Sequence, residues 1–442
     1  MSKILISSLP ASGHINPLIA IAQALQKRGH QVLVATDQSY HSQLKRANLT
    51  PLPLYYPDGA ISNILYQFQK PARWISQLQI KPPQTYFFDY LEQLTAQLIH
   101  IIRDQKPDVL LTDLNFYAGP IAADVCQLPY ATYCAIVNTH RSSDCPPYGL
   151  GSDWYPPHHP VRFLWPFLNI PVEMVLWRHD QIINRVRRHY GLPAVRGGML
   201  AHSPYLSLIP TTDAYEYPRH HVPPQMMYVG PVTSAIRGEL HDNFPWEWLE
   251  DKRPTLYVSM GTIVGGISVF QNVMKLAKEA HWKAIFALGN HTNIELFKDA
   301  PKNVLVKRFV PQLQLLSKVD AVISHGGNNT VSETLLHGLP LIVIPISADQ
   351  PESAARVKAC GAGIRLRPAL AKGKRLQKAI EAILFDERYR QAAQKVMQSY
   401  RRMGGAETCA VLIEALIAKQ QPLQRPYASP NVTLEEAESL LG

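Results

Sequence analysis

Along the chain, short apolar runs closed by turn residues alternate with longer stretches in which apolar positions recur every three or four residues. The first kind fits a buried strand of a parallel sheet and the second an amphipathic helix. Lys3–Ser7 (KILIS) is the first run. Pro10 to Gly13 reads as a tight turn, and a helix is predicted over 16–28, with Asn16 as cap, Pro17 in the first turn and Gly29 as the stop. Gln31–Thr36 returns as a strand. Residues 108–113 (DVLLTD) repeat the pattern with a helix over Ala118–Val125, and 205–209 and 226–230 close this first series. A second series runs through 255–260, 283–288, 303–306, 320–324, 341–344 and 361–366, with helices predicted between 374 and 419. Two such series predict an α/β fold of two doubly wound domains, and 442 residues are too many for one ordinary core. The boundaries fall at 1–232 for the first domain, 233–253 for a mixed polar linker and 254–419 for the second domain. Residues 420–442 form a tail that is peripheral or returns to the first domain.

Between 129 and 231 the alternation is interrupted. That stretch holds fifteen prolines among many aromatics, too many for long regular elements throughout. One helix stands out inside it. Val175, Leu176, Ile182, Ile183, Val186 and Tyr190 recur at helical spacing while Arg178, Arg185 and Arg188 lie on other faces, which predicts a core helix with a solvated basic side.

The densest chemistry lies between 309 and 350. The strand at 320–324 stops at His325-Gly326-Gly327, where glycine lets the backbone turn sharply. Asn328, Asn329 and Thr330 are capping types for the helix that follows, and Gly338-Leu339-Pro340 stops it. Strand, glycine turn and helix start aim unpaired N–H groups and the positive end of a helix dipole at one point, which favours a phosphate. His325 adds a donor there. Asn329 and Glu333 are four apart and share a helix face, and a carboxylate one turn beyond a phosphate site suits ribose hydroxyls.

These residues resemble the donor box of the UDP-dependent glycosyltransferases of family 1. That box begins aromatic-x-Pro-Gln, continues His-x-Gly-x-Asn-Ser/Thr-x-x-Glu and Gly-x-Pro, and ends with a Pro and Asp-Gln. Phe309, Pro311, Gln312, His325, Gly327, Asn329, Thr330, Glu333, Gly338, Pro340, Pro345, Asp349 and Gln350 match it. The resemblance implies the GT-B fold, two Rossmann-like domains facing across a cleft. It implies that Phe309 stacks on the base, that the Val310 backbone reads its edge, and that Gln312 and Glu333 hold the ribose. His325, Asn329 and Thr330 would hold the diphosphate, and Asp349 and Gln350 the sugar hydroxyls. Phe309 and Asn328 depart from the pattern, standing where plant members usually carry Trp; Asn328 is still counted with the donor set. The strand at 255–260 ends in a turn that faces the diphosphate in the family, which adds Ser259 and Thr262.

His14 and Asp113 lie beyond the carboxyl ends of their strands, where ligands sit in such sheets. SLPASGHINP is not a dinucleotide fingerprint, because it lacks the spaced glycines. In the resembled family, a His after the first strand is the catalytic base and an Asp after a later strand orients it; His14 and Asp113 match these places. The order of elements also resembles bacterial members that glycosylate carotenoids, macrolides and polyphenols. Aromatic residues in 54–88 and 133–177, namely Tyr55, Tyr56, Tyr66, Trp74, Tyr86, Phe87, Phe88, Tyr148, Trp154, Tyr155, Phe163, Trp165 and Phe167, suit a broad apolar acceptor pocket.

The formal charge of +10 raises nucleic acid and anionic membrane as partners, yet no Lys/Arg block or aromatic-basic motif supports the first. No nucleic-acid partner is expected, and a peripheral membrane contact stays open. The five cysteines show no CxxC pair or metal spacing, and their odd number argues against a disulfide framework. Reduced thiols, no metal, no cofactor beyond the UDP-sugar co-substrate, and a cytoplasmic location are expected. The expected activity is inverting transfer of a hexose, glucose first, from a UDP-sugar to a hydroxyl of a lipophilic small molecule. A GT-B epimerase and a non-catalytic nucleotide-sugar sensor would share the donor box. Epimerisation would need acid/base groups against the sugar, and a sensor would not need the His/Asp pair.

Overall fold

The computed structural model describes residues 1–57, 59, 61, 86–142, 145, 146, 148, 149, 151, 165–198, 202–219, 221–234, 244–261, 266–290, 292–425 and 428–441. Among these, β1 (Lys3–Ser7), β2 (Gln31–Thr36), β3 (Thr50–Pro53), β4 (Val109–Asp113), β5 (Tyr130–Tyr133), β6 (Leu206–Ile209) and β7 (Met226–Tyr228) form one parallel sheet in the order 3-2-1-4-5-6-7. A second parallel sheet runs 10-9-8-11-12-13. It is built of β8 (Thr255–Ser259), β9 (Lys283–Ala287), β10 (Val304–Lys307), β11 (Ala321–Ser324), β12 (Leu341–Val343) and β13 (Gly363–Arg365). The strand pattern did not announce β3 and β5. β3 reads TPLP, and its prolines are tolerated because it is an edge strand; β5 reads YATY, too short and mixed to stand out.

Each sheet is covered on both faces, which is why its strands are nearly continuous in apolar residues. In β1, Ile4 and Ile6 pack with the Ser12–Lys27 and Ala406–Lys419 helices, while Leu5 packs on the other side with Leu91–Gln105 and Ala118–Val125. In β8, Leu256 and Val258 face one core and Tyr257 the other. The helix in the proline-rich stretch spans Trp165–His189, starting well before the predicted stripe. Leu176, Ile183 and Val186 are buried and Arg178, Arg185 and Arg188 exposed, as the spacing requires.

The chain changes domain twice. Phe244, Trp246 and Trp248, late in the expected linker, pack into the second core. At the other end the Ala406–Lys419 helix packs on the Ser12–Lys27 helix in the first core, so the boundary lies near Gly405 and not at 419. Gly405 donates its N–H to Val229 O at 3.0 Å with a φ of 57°, and a Cβ there would stand 2.5 Å from the Pro231 carbonyl oxygen. Sequence spacing missed this return because a helix shows its apolar face without showing which sheet receives it. Glu414 binds Arg28 and His30, and Leu423 N–H donates to Tyr205 O at 2.9 Å, so the tail follows the same domain.

Candidate functional site

Both sheets reverse their strand order at one place, between β1 and β4 and between β8 and β11, and such switch points leave crevices at the carboxyl ends of the strands. His14, Asp113, Ser259 and the His325–Glu333 stretch lie at or after the ends of these four strands, while Phe309, Val310 and Gln312 follow β10 and Asp349 and Gln350 follow β12. Ser7 pairs with Thr112 in register, so the loops after β1 and β4 start side by side. His14 and Asp113 meet there: Nδ1 lies 2.7 Å from Oδ2, with the carboxylate buried and the imidazole only slightly exposed. Oδ1 of Asp113 accepts the Asn115 N–H at 3.0 Å, which fixes the carboxylate plane. Burial alone would lower the His14 pKa, but the charge and hydrogen bond of Asp113, helped by Asp349, raise it above 6.5.

His14 stands in the first turn of a helix, not in the loop before it. The helix begins at Ser12, four residues earlier than expected, with Ala11 as a cap that makes no side-chain bond. Asn16 does not cap; its Oδ1 accepts from Gln43 Nε2 at 2.9 Å. Pro17 is therefore interior.

In the second domain, Ser259 and Ser324 end their strands in register, and the His325 ring sits between the turns that follow. A Cβ on Gly261 or Gly327 would lie 2.7 Å from that ring, so both glycines are needed for its place. Burial drops the His325 pKa to about 4 against a hydrogen bond to the Ser259 backbone, so the ring is neutral at pH 7. Its Nδ1 is buried and finds no partner among the described residues. Thr262 lies outside the described residues.

Gly327 is the N-cap of the Asn328–Leu336 helix and no side chain caps it. The expected capping role of Asn328 and Asn329 is replaced by a longer reach. Asn328 Nδ2 donates to Ala135 O at 3.3 Å and Asn329 Nδ2 to Gly13 O at 3.1 Å, both in the first domain. The helix start is thus left with N–H groups for an anion. One turn on, Glu333 is buried and its Oε2 accepts from Gln312 Nε2 at 2.6 Å, while Gln312 Oε1 accepts from the Tyr257 hydroxyl at 2.9 Å. Phe309 and Val310 precede this group, Val310 buried and Phe309 half-buried. Thr330 is half-buried in the same helix turn.

Asp349 and His14 shift each other's protonation across the cleft, so the two domains present their polar groups to one volume. Burial raises the Asp349 pKa to about 6, partly offset by a backbone hydrogen bond and His14, and its Oδ2 is buried with no partner among the described residues. Such an oxygen suits a ligand hydroxyl. Gln350 Oε1 accepts the Ile346 and Ser347 N–H groups at 2.8 and 2.9 Å, a local brace for the turn that carries Asp349.

Behind that turn lies a cluster that the motif reading missed. Arg356, 2% exposed, binds Glu216 of the first domain and Glu352, and donates to Asn138 O at 3.2 Å. Glu352 Oε1 accepts the N–H groups of Gly149 and Gly151 at 2.9 and 2.6 Å. Glu352 and Arg356 at i and i+4 were visible as a helical charge pair, but Glu216, far off in sequence, was not. Of the expected acceptor aromatics, Phe88 is a core ring, stacked on Tyr117 at 5.0 Å and His179 at 5.2 Å. Tyr56 and Tyr148 are half-buried, and Tyr55 and Phe167 exposed. Tyr66, Trp74, Trp154, Tyr155 and Phe163 lie outside the described residues, as do the side chains of Tyr86, Phe87 and Trp165.

Known proteins match this sequence and share its fold. Residues 10–132 match the model described as "Glycosyltransferase family 28 N-terminal domain", and 272–407 that described as "Erythromycin biosynthesis protein CIII-like, C-terminal domain". The chain is 28% identical to 4'-demethylrebeccamycin synthase of Lentzea aerocolonigenes, over 94% of this chain and 100% of that one. It is 26% identical to the NDP-glycosyltransferase YjiC of Bacillus subtilis (strain 168), over 93% and 96%. Zeaxanthin glucosyltransferase of Pantoea ananas is 22% identical over 94% and 96%. Among solved structures, the glycotransferase of kitacinnamycin superposes with a TM-score of 0.73 at 22% identity, covering 95% of this chain and 99% of its own. The calicheamicin glycosyltransferase CalG4 gives 0.71 at 18%, covering 96% and 100%.

Proposed function

Because the chain belongs to the family 1 glycosyltransferases and has their GT-B fold, we propose that it moves a hexose, glucose first, from a UDP-sugar to a hydroxyl of a lipophilic small molecule. The observation that carries this reading is the His14–Asp113 pair at 2.7 Å, set across the cleft from Asp349. With Nδ1 engaged by the carboxylate, Nε2 is the ring nitrogen left to take a proton. His14 removes the acceptor hydroxyl proton as that oxygen attacks the anomeric carbon, and Asp113 holds the tautomer and stabilises the imidazolium. Attack from the side opposite the diphosphate inverts the anomeric centre.

The donor lies in the second domain with its ribose on Gln312 and Glu333 and its base against Phe309 and Val310. Backbone N–H groups of 327–330, Asn329 and the neutral His325 ring receive the departing diphosphate charge, with Ser259 and Thr262 beside them. Asp349 takes sugar hydroxyls, with Gln350 as its neighbour. The reading needs no metal ion, and an undiminished rate in excess EDTA tests that. A terpenoid, polyketide or polyphenol acceptor suits the exposed and half-buried rings of the first domain, and a simple monosaccharide as best acceptor would sink that choice. A cytoplasmic site with peripheral contact to an anionic membrane belongs to the same reading. Phe167, Ile170, Met174 and Trp177 are exposed along one helix near exposed arginines, and co-sedimentation with anionic vesicles tests the contact. No described helix is long and apolar enough to cross a membrane.

The deciding experiment incubates the chain with UDP-glucose and a panel of hydroxylated acceptors and reads product mass. A hexose added to an acceptor supports the reading. Conversion of UDP-glucose without acceptor into an isomer, or binding with no turnover on any acceptor, would defeat it.

A further inference from the structure

Pro17 lies inside the Ser12–Lys27 helix, where a proline is costly. It gives no N–H to the carbonyl four residues back, and its ring pushes that carbonyl aside. The carbonyl four residues back is that of Gly13, the neighbour of His14. It is not wasted. Gly13 O accepts from Asn329 Nδ2 at 3.1 Å, and Asn329 is the second residue of the second-domain helix whose start is assigned to the diphosphate. A carbonyl oxygen only accepts, so the amide nitrogen must face it, and that nitrogen carries two N–H donors. One can hold Gly13 while the other meets a phosphate oxygen. Beside it, the Asn328–Ala135 bond joins the same two domains.

We infer that Pro17 is a positioning residue. By withholding an N–H it releases the Gly13 carbonyl to Asn329, which ties the helix end bearing His14 to the helix start bearing the donor. The inference rests on the roles proposed above for His14 and the donor helix. Its consequence for rate is geometric: the base and the anomeric carbon sit on different domains, and a displacement of about 1 Å between reacting groups can slow a reaction about a hundredfold. An alanine in place of Pro17 would restore an N–H that competes with Asn329 for the same oxygen.

The test is Pro17→Ala in the full chain, after the acceptor screen has established transfer by the unsubstituted protein. The backbone amide gained at position 17 should be protected from hydrogen exchange, which shows that the helix carries the added N–H. UDP affinity by calorimetry should stay within about twofold, while the rate at saturating donor and acceptor falls about tenfold. In an Asn329→Ala background the same substitution should change the rate by less than about twofold, because the partner is already gone. An unchanged rate in Pro17→Ala, or an equal loss in both backgrounds, overturns the positioning role. Absence of transfer by the unsubstituted chain is a different failure, that of the proposed function.

Discussion

Asp113→Asn should be more damaging than Asp113→Ala, although asparagine is the closer substitute. Asp113 Oδ1 accepts the Asn115 N–H at 3.0 Å and Oδ2 faces His14 Nδ1 at 2.7 Å. An amide has one oxygen for these two places. The Asn115 N–H can only donate, so the oxygen goes there and the NH₂ group turns to the imidazole. His14 Nδ1 must then accept, its proton sits on Nε2, and the nitrogen that should collect the acceptor proton is already occupied. A base locked in the wrong tautomer loses about four orders of magnitude in other enzymes that pair His with Asp, and about three to four are expected here. Alanine imposes no tautomer. It removes a charge-assisted bond of about 1.5–3 kcal/mol, roughly a 10- to 160-fold loss. Initial rates of glycoside formation at saturating donor and acceptor would be compared for the three proteins, with UDP calorimetry to show that the donor site is intact. If the asparagine variant were faster than the alanine variant, or within tenfold of the unsubstituted chain, the tautomer argument would be wrong.

The acid limb of the pH–rate profile should lie above pH 6.5, because burial, which lowers the His14 pKa, is outweighed by Asp113 and Asp349 together and the base works only when neutral; in Asp113→Ala the limb should move to lower pH. A limb that does not respond to Asp113 would take His14 out of the base role. Glu333→Ala should raise donor KM by roughly 10- to 160-fold, the equivalent of about 1.5–3 kcal/mol, with a smaller change in saturating rate. An effect confined to acceptor KM would misplace that helix. Arg356→Met leaves Glu352 buried without its cation and Glu216 with only Arg219 at 3.6 Å, which should destabilise the chain by about 3–5 kcal/mol. An unshifted denaturant midpoint would show that the cluster is not holding the domains.

The candidate anion site of the second domain was legible because its chemistry is local. A strand, a glycine turn and a helix start are consecutive in sequence, so 320–333 could be read as an anion site without knowing what faces it. The His14–Asp113 pair needed more: the two residues are 99 apart and meet because β1 and β4 are neighbours, an adjacency that strand patterns alone do not give. Tyr257 looked like one more apolar strand residue, and its hydroxyl bond to Gln312 gives it a place beside Glu333. The helix start at Ser12 was misplaced because Asn16-Pro17 is a strong local start signal, and the tertiary bond from Asn329 overrides it. Glu216 and Arg356 carried no joint signal, since 140 residues separate them.

The return of the Ala406–Lys419 helix to the first core makes the first domain discontinuous in the gene. A chimaera that fuses the front half of this chain to the back half of a relative would give the first domain a foreign closing helix. The hand-over points for a swap are therefore two, one between 233 and Phe244, ahead of the residues that pack into the second core, and one near Gly405, and the stretch between them is the unit to exchange. The same two crossings act as a double strap across the cleft. They favour a hinge about the line joining them over a free swing of one domain on a single tether.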